Sequence, residues 1–287
     1  MNKHKERKMS TQSIVSNPNP EPSGYVLATG AGALGRLLML HDIYGPPGKR
    51  ALLKAGLKPG MYVADFGCGV GAMTRSLAEM VSPSGSAMGI DLYESQLLQA
   101  AHLCAEARLE NVLLWKAEAC DTKLPDNMFD LVYCRFLLIH LSDPAACLRE
   151  MKRVVKPGGI IFVEDGDLKS GGSVPSSALN RFGRLFELLG PKKGLDYRLG
   201  RDLYHLVMRA GFEDVQIEIH QPAYPRGKER AFLKLSIQEA GRGMVDSGLL
   251  TTAELDDTLA QMDAAVANPD ILVLMPRMSL VWARKPA

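Results

Sequence analysis

The sequence predicts an α/β fold: a Rossmann-like, mostly parallel sheet with helices on both faces, an N-terminal helical lid and a helical insertion before the last strand. Three observations predict it. From residue 61, short apolar runs alternate with longer segments of helical period. The first of these runs opens into a glycine-rich turn. A long helical stretch then interrupts the alternation before a final apolar run at 278–284. Strands separated by helices imply right-handed crossovers and therefore parallel pairing.

Residues 1–22 are polar and include Asn17-Pro18-Asn19-Pro20-Glu21-Pro22. They predict a disordered tail, because they cannot bury enough apolar surface to offset ordering. Residues 23–50 predict the lid, helical in its second half and stopped by Gly45-Pro46-Pro47-Gly48. The core is expected over 51–224. Its strands are read at 61–66, 86–91, 112–115, 129–134, 160–164 and 215–220, and its helices at 70–81, 94–108, 143–155 and 200–209. Pro144 sits in the first turn of the third helix, with Lys156-Pro157-Gly158-Gly159 beyond its end. Gly211 suits a C-cap. The Gly- and Ser-rich residues 166–180 predict a loop near a site. Residues 225–276 form the cap insertion, helical over 228–266, and 277–287 carry the last strand.

The chain of 287 residues is long enough to bury a sizeable core. Of its net charge of +2, all comes from the tail, where Lys3, Lys5, Arg7 and Lys8 face Glu6 and Glu21. A neutral body gives no electrostatic reason to expect a nucleic acid partner. Five cysteines without a CxxC pair suggest neither a disulfide framework nor a metal site. The N-terminus lacks the apolar region of a signal peptide. No apolar stretch reaches the roughly 20 residues that span a bilayer. The expected compartment is the cytoplasm; self-association is left open.

The informative segment is Val63-Ala64-Asp65-Phe66-Gly67-Cys68-Gly69-Val70-Gly71. Glycines allow a sharp strand-to-helix turn and close backbone approach to a ligand, which in such sheets sits beyond the carboxyl ends of the strands. The spacing is G-x-G-x-G rather than the G-x-G-x-x-G of dinucleotide folds. Asp65 would repel a pyrophosphate but can accept a hydrogen bond from a cationic amino group. Asp91, 26 residues on, is placed for the hydroxyls of a ribose. Glu118, with Ala119 beside it, could accept from an adenine amino group. These acids suit an adenosine bearing an ammonium.

Together with 124–130 and 154–159, these motifs resemble those of class I S-adenosylmethionine (SAM)-dependent methyltransferases. The likeness is greatest to the branch of ubiquinone/menaquinone C-methyltransferases and small-molecule enzymes of secondary metabolism. The resemblance covers roughly residues 25–220. It implies a seven-stranded sheet whose last strand is antiparallel, and SAM as cofactor. By position, the resemblance implies that Gly67 and Gly69 pass the methionine part of SAM, Asp91 binds the ribose, Glu118 and Ala119 bind the adenine with Gln96 packed near it, and Gly71 and Leu92 belong to the same cofactor-binding set. Arg135 offers its backbone carbonyl to the ammonium. The lid resembles that of the same branch, which makes Arg36 or His41 a carboxylate ligand and Tyr25 and Tyr44 closures of the pocket. Cys120 and Lys123 depart from the family's usual residues near the adenine.

A sulfonium brings its own activation, so the protein must align the reactants, exclude water and, for some acceptors, remove a proton. Candidate bases are His41, His140 and Glu164, with Asp165 and Asp167 also at the substrate pocket. The pocket should be roofed by 25–44, 168–196 and 225–266. Lys192, Lys193, Arg198, Arg201, Arg226, Lys228 and Arg230 would hold an anionic substrate if they converge there; otherwise they form a solvated face. The expected reaction is methylation of a carbon or oxygen of a small molecule. A methyltransferase of macromolecules is the first alternative, although Asn-Pro-Pro-Tyr and an appended basic domain are absent. The others are a non-catalytic SAM-binding protein and an NAD(P) oxidoreductase.

Overall fold

The computed structural model describes residues 34–287, together with the backbone pairing of 14–16. Tyr25 lies outside the described residues. Strand β1 (Ile14–Ser16), within the segment expected as a tail, runs parallel to β4 at the sheet edge.

Helix α1 (Leu34–Ala55) corrects the sequence reading, since it runs through Pro46 and Pro47 instead of stopping before them. Each interior proline removes a backbone donor. The helix holds because both halves are packed: Ile43 and Tyr44 are buried before the prolines, and Ala51, Leu52 and Ala55 after them. The expected lid–core boundary at 50/51 therefore falls inside one helix.

The core follows as β2 (Tyr62–Phe66), α2 (Ala72–Val81), β3 (Ser86–Asp91), α3 (Glu94–Glu106), β4 (Val112–Lys116), β5 (Phe129–Arg135), α4 (Pro144–Val154) and β6 (Val155–Asp167). Asp143 caps α4, accepting from the Ala146 amide at 3.0 Å, with Pro144 behind it. After β6 come β7 (Gly172–Val174), α5 (Arg181–Lys193), α6 (Leu203–Arg209), β8 (Glu213–His220) and β9 (Ala223–Tyr224). The cap comprises α7 (Phe232–Asp246) and α8 (Thr252–Ala267), the latter opened by a Thr251/Glu254 capping box. The chain ends with β10 (Leu272–Leu274) and β11 (Arg277–Arg284). Residues 166–180, expected as loop, include the end of β6 and all of β7. Helix α5 was not anticipated, although Phe182, Phe186 and Leu189 repeat at helical spacing.

The main sheet has the order β1-β4-β3-β2-β5-β6-β11-β8, its seven core strands parallel except β11, which is antiparallel to both neighbours. A second, small antiparallel sheet has the order β7-β10-β9. The chain moves outward from β2 through β3 and β4 on one side and from β5 through β6 on the other. Right-handed crossovers then put α2 and α3 on one face and α4 on the opposite face. Covered on both faces, the central strands are apolar almost throughout: Val63, Ala64, Phe66, Leu131 to Cys134 and Ile161 to Val163 are fully buried. Tyr133, Phe162 and Trp282 stack across β5, β6 and β11, with ring centroids 5.9 and 5.7 Å apart. Among the described residues no helix is long and apolar enough to cross a membrane.

Candidate active site

The strand order reverses between β2 and β5, leaving a crevice beyond their carboxyl ends. A cavity of about 460 Å³ opens there. Its size suits a small-molecule site.

One half of the cavity is built by the turns after β2, β3 and β4. Gly67 and Gly69 hold positive φ angles of 67° and 53°, which turns the chain sharply enough to expose the backbone. A Cβ on Gly67 would strike Leu137, whereas one on Gly69 would meet only Leu37, at 3.8 Å, so the backbone there borders open space. Gly71 does not line the cavity; its bare Cα lets α2 pack on Ala100 of α3. Asp91 accepts from the amides of Gly69, at 2.8 Å, and Tyr93, at 3.0 Å, binding the glycine turn to the end of β3. Burial raises its pKa, and these hydrogen bonds pull it back. Leu92, Gln96, Glu118 and Ala119 also line this half. Gln96 is buried with Oε1 unpartnered, while Glu118 stands exposed at the rim.

Asp65 lines the floor and is almost fully buried. Its Oδ2 accepts from the Thr74 hydroxyl at 2.6 Å. Burial raises its pKa to about 7, against the opposing pull of Thr74 and Arg135. Arg135 also borders the cavity, but its guanidinium turns toward α1, donating from Nη2 to His41 Nδ1 at 3.3 Å. The chain then passes through Phe136 at φ 50°, a left-handed conformation unusual for a bulky residue. The Phe136 ring is held edge-on by Tyr44, with centroids 5.3 Å apart, and closes on Gly166, where a Cβ would collide with it.

The other half is apolar. Phe182 and Phe186 of α5, Phe232 of α7, Leu168, Leu195 and Phe136 form its walls, and its polar groups include Ser236, Lys193, His140 and Ser142. Sequence reasoning named none of the three phenylalanines on α5 and α7; the helical spacing of 182 and 186 was their only signal. Arg36 and Leu40 of α1 roof the cavity. Arg36 Nε donates to Glu239 of α7 at 2.7 Å, and its Nη2 is buried without a hydrogen-bond partner.

Of the candidate bases, only His140 reaches the cavity. Burial, and then the Arg36 charge, hold its pKa down to about 3, so the ring is neutral. His41 lies between α1 and α2, 3.5 Å from Ser76 Oγ and outside the cavity lining, and burial followed by the Arg135 charge lowers its pKa to about 3. Glu164 is walled off beneath Gly48 of α1, accepts from the Tyr133 hydroxyl at 3.1 Å, and is raised by burial to about 7.

Three expected substrate residues also lie outside the cavity wall. Tyr44 donates to the Pro276 carbonyl at 2.8 Å. Asp165 accepts from the amides of Ile139 and Gly166, so it anchors the turn that carries His140. Asp167 pairs with Arg277 at 2.9 Å. The basic residues do not converge. Lys193 alone among them lines the cavity, Lys228 pairs with Asp42, Arg198 pairs with Glu187, and buried Arg230 donates to the carbonyls of Pro225, Ala265, Val266, Asn268 and Ile271.

Residues 64–163 match the methyltransferase domain family. The demethylmenaquinone methyltransferase of Staphylococcus aureus is 36% identical over 113 residues, which is 39% of this chain and 46% of that protein. The chain thus spans about half the length of the curated relatives it matches. The YcgJ protein of Bacillus subtilis shares the fold with a TM-score of 0.56 at 20% identity, over 86% of this chain and 99% of that one. So does phosphoethanolamine N-methyltransferase 2 of Haemonchus contortus, solved with S-adenosylhomocysteine and phosphomonomethylethanolamine. Its TM-score is 0.51 at 17% identity, over 90% of this chain and 54% of that one.

Proposed function

We propose, from the match of residues 64–163 to the methyltransferase domain family, that this chain transfers the methyl group of SAM to a carbon or oxygen of an apolar small molecule. The observation that carries the reading is one continuous cavity that joins a polar glycine-turn cradle to an aromatic chamber.

The cradle fits the cofactor. Two polar atoms on residues lining it, Arg36 Nη2 and Gln96 Oε1, are buried with no hydrogen-bond partner within the protein. In this reading Arg36 takes the methionine carboxylate, Asp65 and the Arg135 backbone face the ammonium, Asp91 holds the ribose, and Gln96, Glu118 and Ala119 border the adenine. When bound, SAM supplies an electrophilic methyl group on a sulfonium. A cationic ligand beside Asp65 would favour its ionised form, offsetting the effect of burial.

The chamber supports the substrate class. Its walls would desolvate an apolar acceptor and exclude water from the transfer. Among the described residues, the acids that line the cavity are Asp65, Asp91 and Glu118, all in the cradle, and none borders the apolar chamber. This favours carbon or oxygen over nitrogen. A quinone, isoprenoid or related secondary metabolite fits, and the relative named for demethylmenaquinone points the same way. His140, neutral and in the wall, is the group that would take a proton from an acidic hydroxyl or carbon.

The test is a transfer assay with radiolabelled SAM against fractionated metabolites, with mass spectrometry of the labelled product. Label is expected in apolar fractions. Label confined to nucleic acid or protein would overturn the small-molecule reading.

A further inference from the structure

Glu239 belongs to no motif, yet it touches a buried cation that joins the lid to the cap. Its carboxylate accepts from Arg36 Nε at 2.7 Å, and the two side chains are only 15% and 6% exposed. Beside it on the same guanidinium, Nη2 is buried and without a hydrogen-bond partner, on a residue that lines the cavity. The arginine is thus held through Nε and keeps a free donor at Nη2. Along α7, Glu239 lies three residues beyond Ser236 and seven beyond Phe232, on the same helix face. Both of those residues line the acceptor chamber.

Resting on the SAM reading above, we propose that Glu239 is a positioning residue, which fixes Arg36 for the carboxylate of the donor's methionine and so ties donor binding to the α7 wall of the acceptor chamber. A guanidinium whose fork is already oriented loses less freedom when it binds a carboxylate. The negative charge of Glu239 acts in the opposite sense, because it partly neutralises the arginine. If position dominates, removing the acceptor atom weakens the donor; if charge dominates, removing it strengthens the donor. A carboxylate on the acceptor would satisfy Nη2 equally well, so the probes must separate the two sources.

The experiment is titration calorimetry of the full chain with S-adenosylhomocysteine and with 5′-methylthioadenosine, which keeps the adenosine and thioether but has no carboxylate. Arg36→Met and Glu239→Ala are each expected to weaken S-adenosylhomocysteine by about tenfold, the worth of one charge-assisted hydrogen bond. Methylthioadenosine should change by less than about twofold, within ordinary scatter for an untouched contact. Glu239→Gln keeps an acceptor for Nε and is expected to restore most of the lost affinity.

Three results would overturn the proposal. The first is a Glu239→Ala variant that binds S-adenosylhomocysteine as tightly as wild type or more tightly. The second is an equal loss for both probes with a lowered melting temperature, which makes Glu239 purely structural. The third is an unchanged affinity in Arg36→Met, which assigns Nη2 to the acceptor. If the wild-type chain binds neither probe, the SAM reading itself fails, and that is visible before any variant is made.

Discussion

Arg135 on β5 stands across from Glu164 on β6 in the sheet register, and α1 closes over the pair with His41 against the arginine and Gly48 against the glutamate. Opposite charges facing each other across strands attract, and Arg135 does pull the Glu164 pKa down. Burial outweighs it, and the carboxyl still titrates near 7. The lid helix is therefore seated on an acid that is neutral over much of the acidic range.

That relationship predicts a pH-dependent stability. Between its ordinary value of 4.5 and about 7, Glu164 is protonated in the folded chain and ionised in the unfolded one. Its contribution to stability is complete below 4.5 and is lost as pH rises through 7. Glu164→Gln, which stays neutral, should gain on wild type across this window, by roughly 1–3 kcal/mol in all. Urea unfolding of both proteins from pH 5 to 8 measures it. A constant difference over that range would show that Glu164 is ionised in the fold throughout.

Asp91 joins the glycine turn to the end of β3 through the Gly69 and Tyr93 amides. Asp91→Ala removes both acceptors and the expected ribose ligand. S-adenosylhomocysteine affinity should fall by about 10- to 100-fold, the range for one or two hydrogen bonds to a charged group. Circular dichroism should show an intact fold. Calorimetry that returned wild-type affinity would remove Asp91 from the cofactor site.

Much of this arrangement was legible in the residues. The turn at 67–71 and the acids at 65, 91 and 118 were read from spacing, because strand ends and backbone reversals leave local signatures. The long-range neighbours of those residues were not. Glu164 and Asp165 read as a strand-end cluster facing a ligand, but alternation along β6 sends the first under α1 and the second to the amides of the His140 turn. His41 read as a lid histidine, and only the packing of α1 on α2 shows that it faces Ser76. Pro46-Pro47 read as a stop because local propensity says so; buried contacts on both sides overrode it. Three of the chamber's phenylalanines come from α5 and α7, far apart in sequence and joined only by the fold.

The close seat of α1 can be tested at Gly48. A Cβ there would collide with Glu164 Oε1 inside a fully packed contact. Gly48→Ala gains helix propensity but must displace the carboxylate or the helix, and displacement should prevail. The expected loss is about 1–3 kcal/mol. In a chain of this size that lowers the melting temperature by roughly 2–4 °C per kcal/mol. Differential scanning calorimetry decides, and a raised melting temperature would mean that the lid yields without strain.

The two half-buried histidines separate chemistry from packing. His140 lines the cavity and His41 does not, although both are held neutral down to about pH 3. If His140 takes a proton during transfer, His140→Asn should lower kcat by about 100-fold or more, the usual worth of a placed base. Its affinity for S-adenosylhomocysteine should stay close to wild type, because the ring is proposed to serve the acceptor half. His41→Asn should lower the melting temperature and leave kcat within a few fold. With its pKa near 3, His140 also predicts a wild-type kcat that does not fall as pH drops through 6.5, where an ordinary histidine would be lost to protonation. An acid limb centred near 6.5 that vanishes in His140→Asn would show instead that the bound cofactor restores the imidazole to its normal range. Equal kcat in wild type and His140→Asn would mean that transfer proceeds without a base at this position.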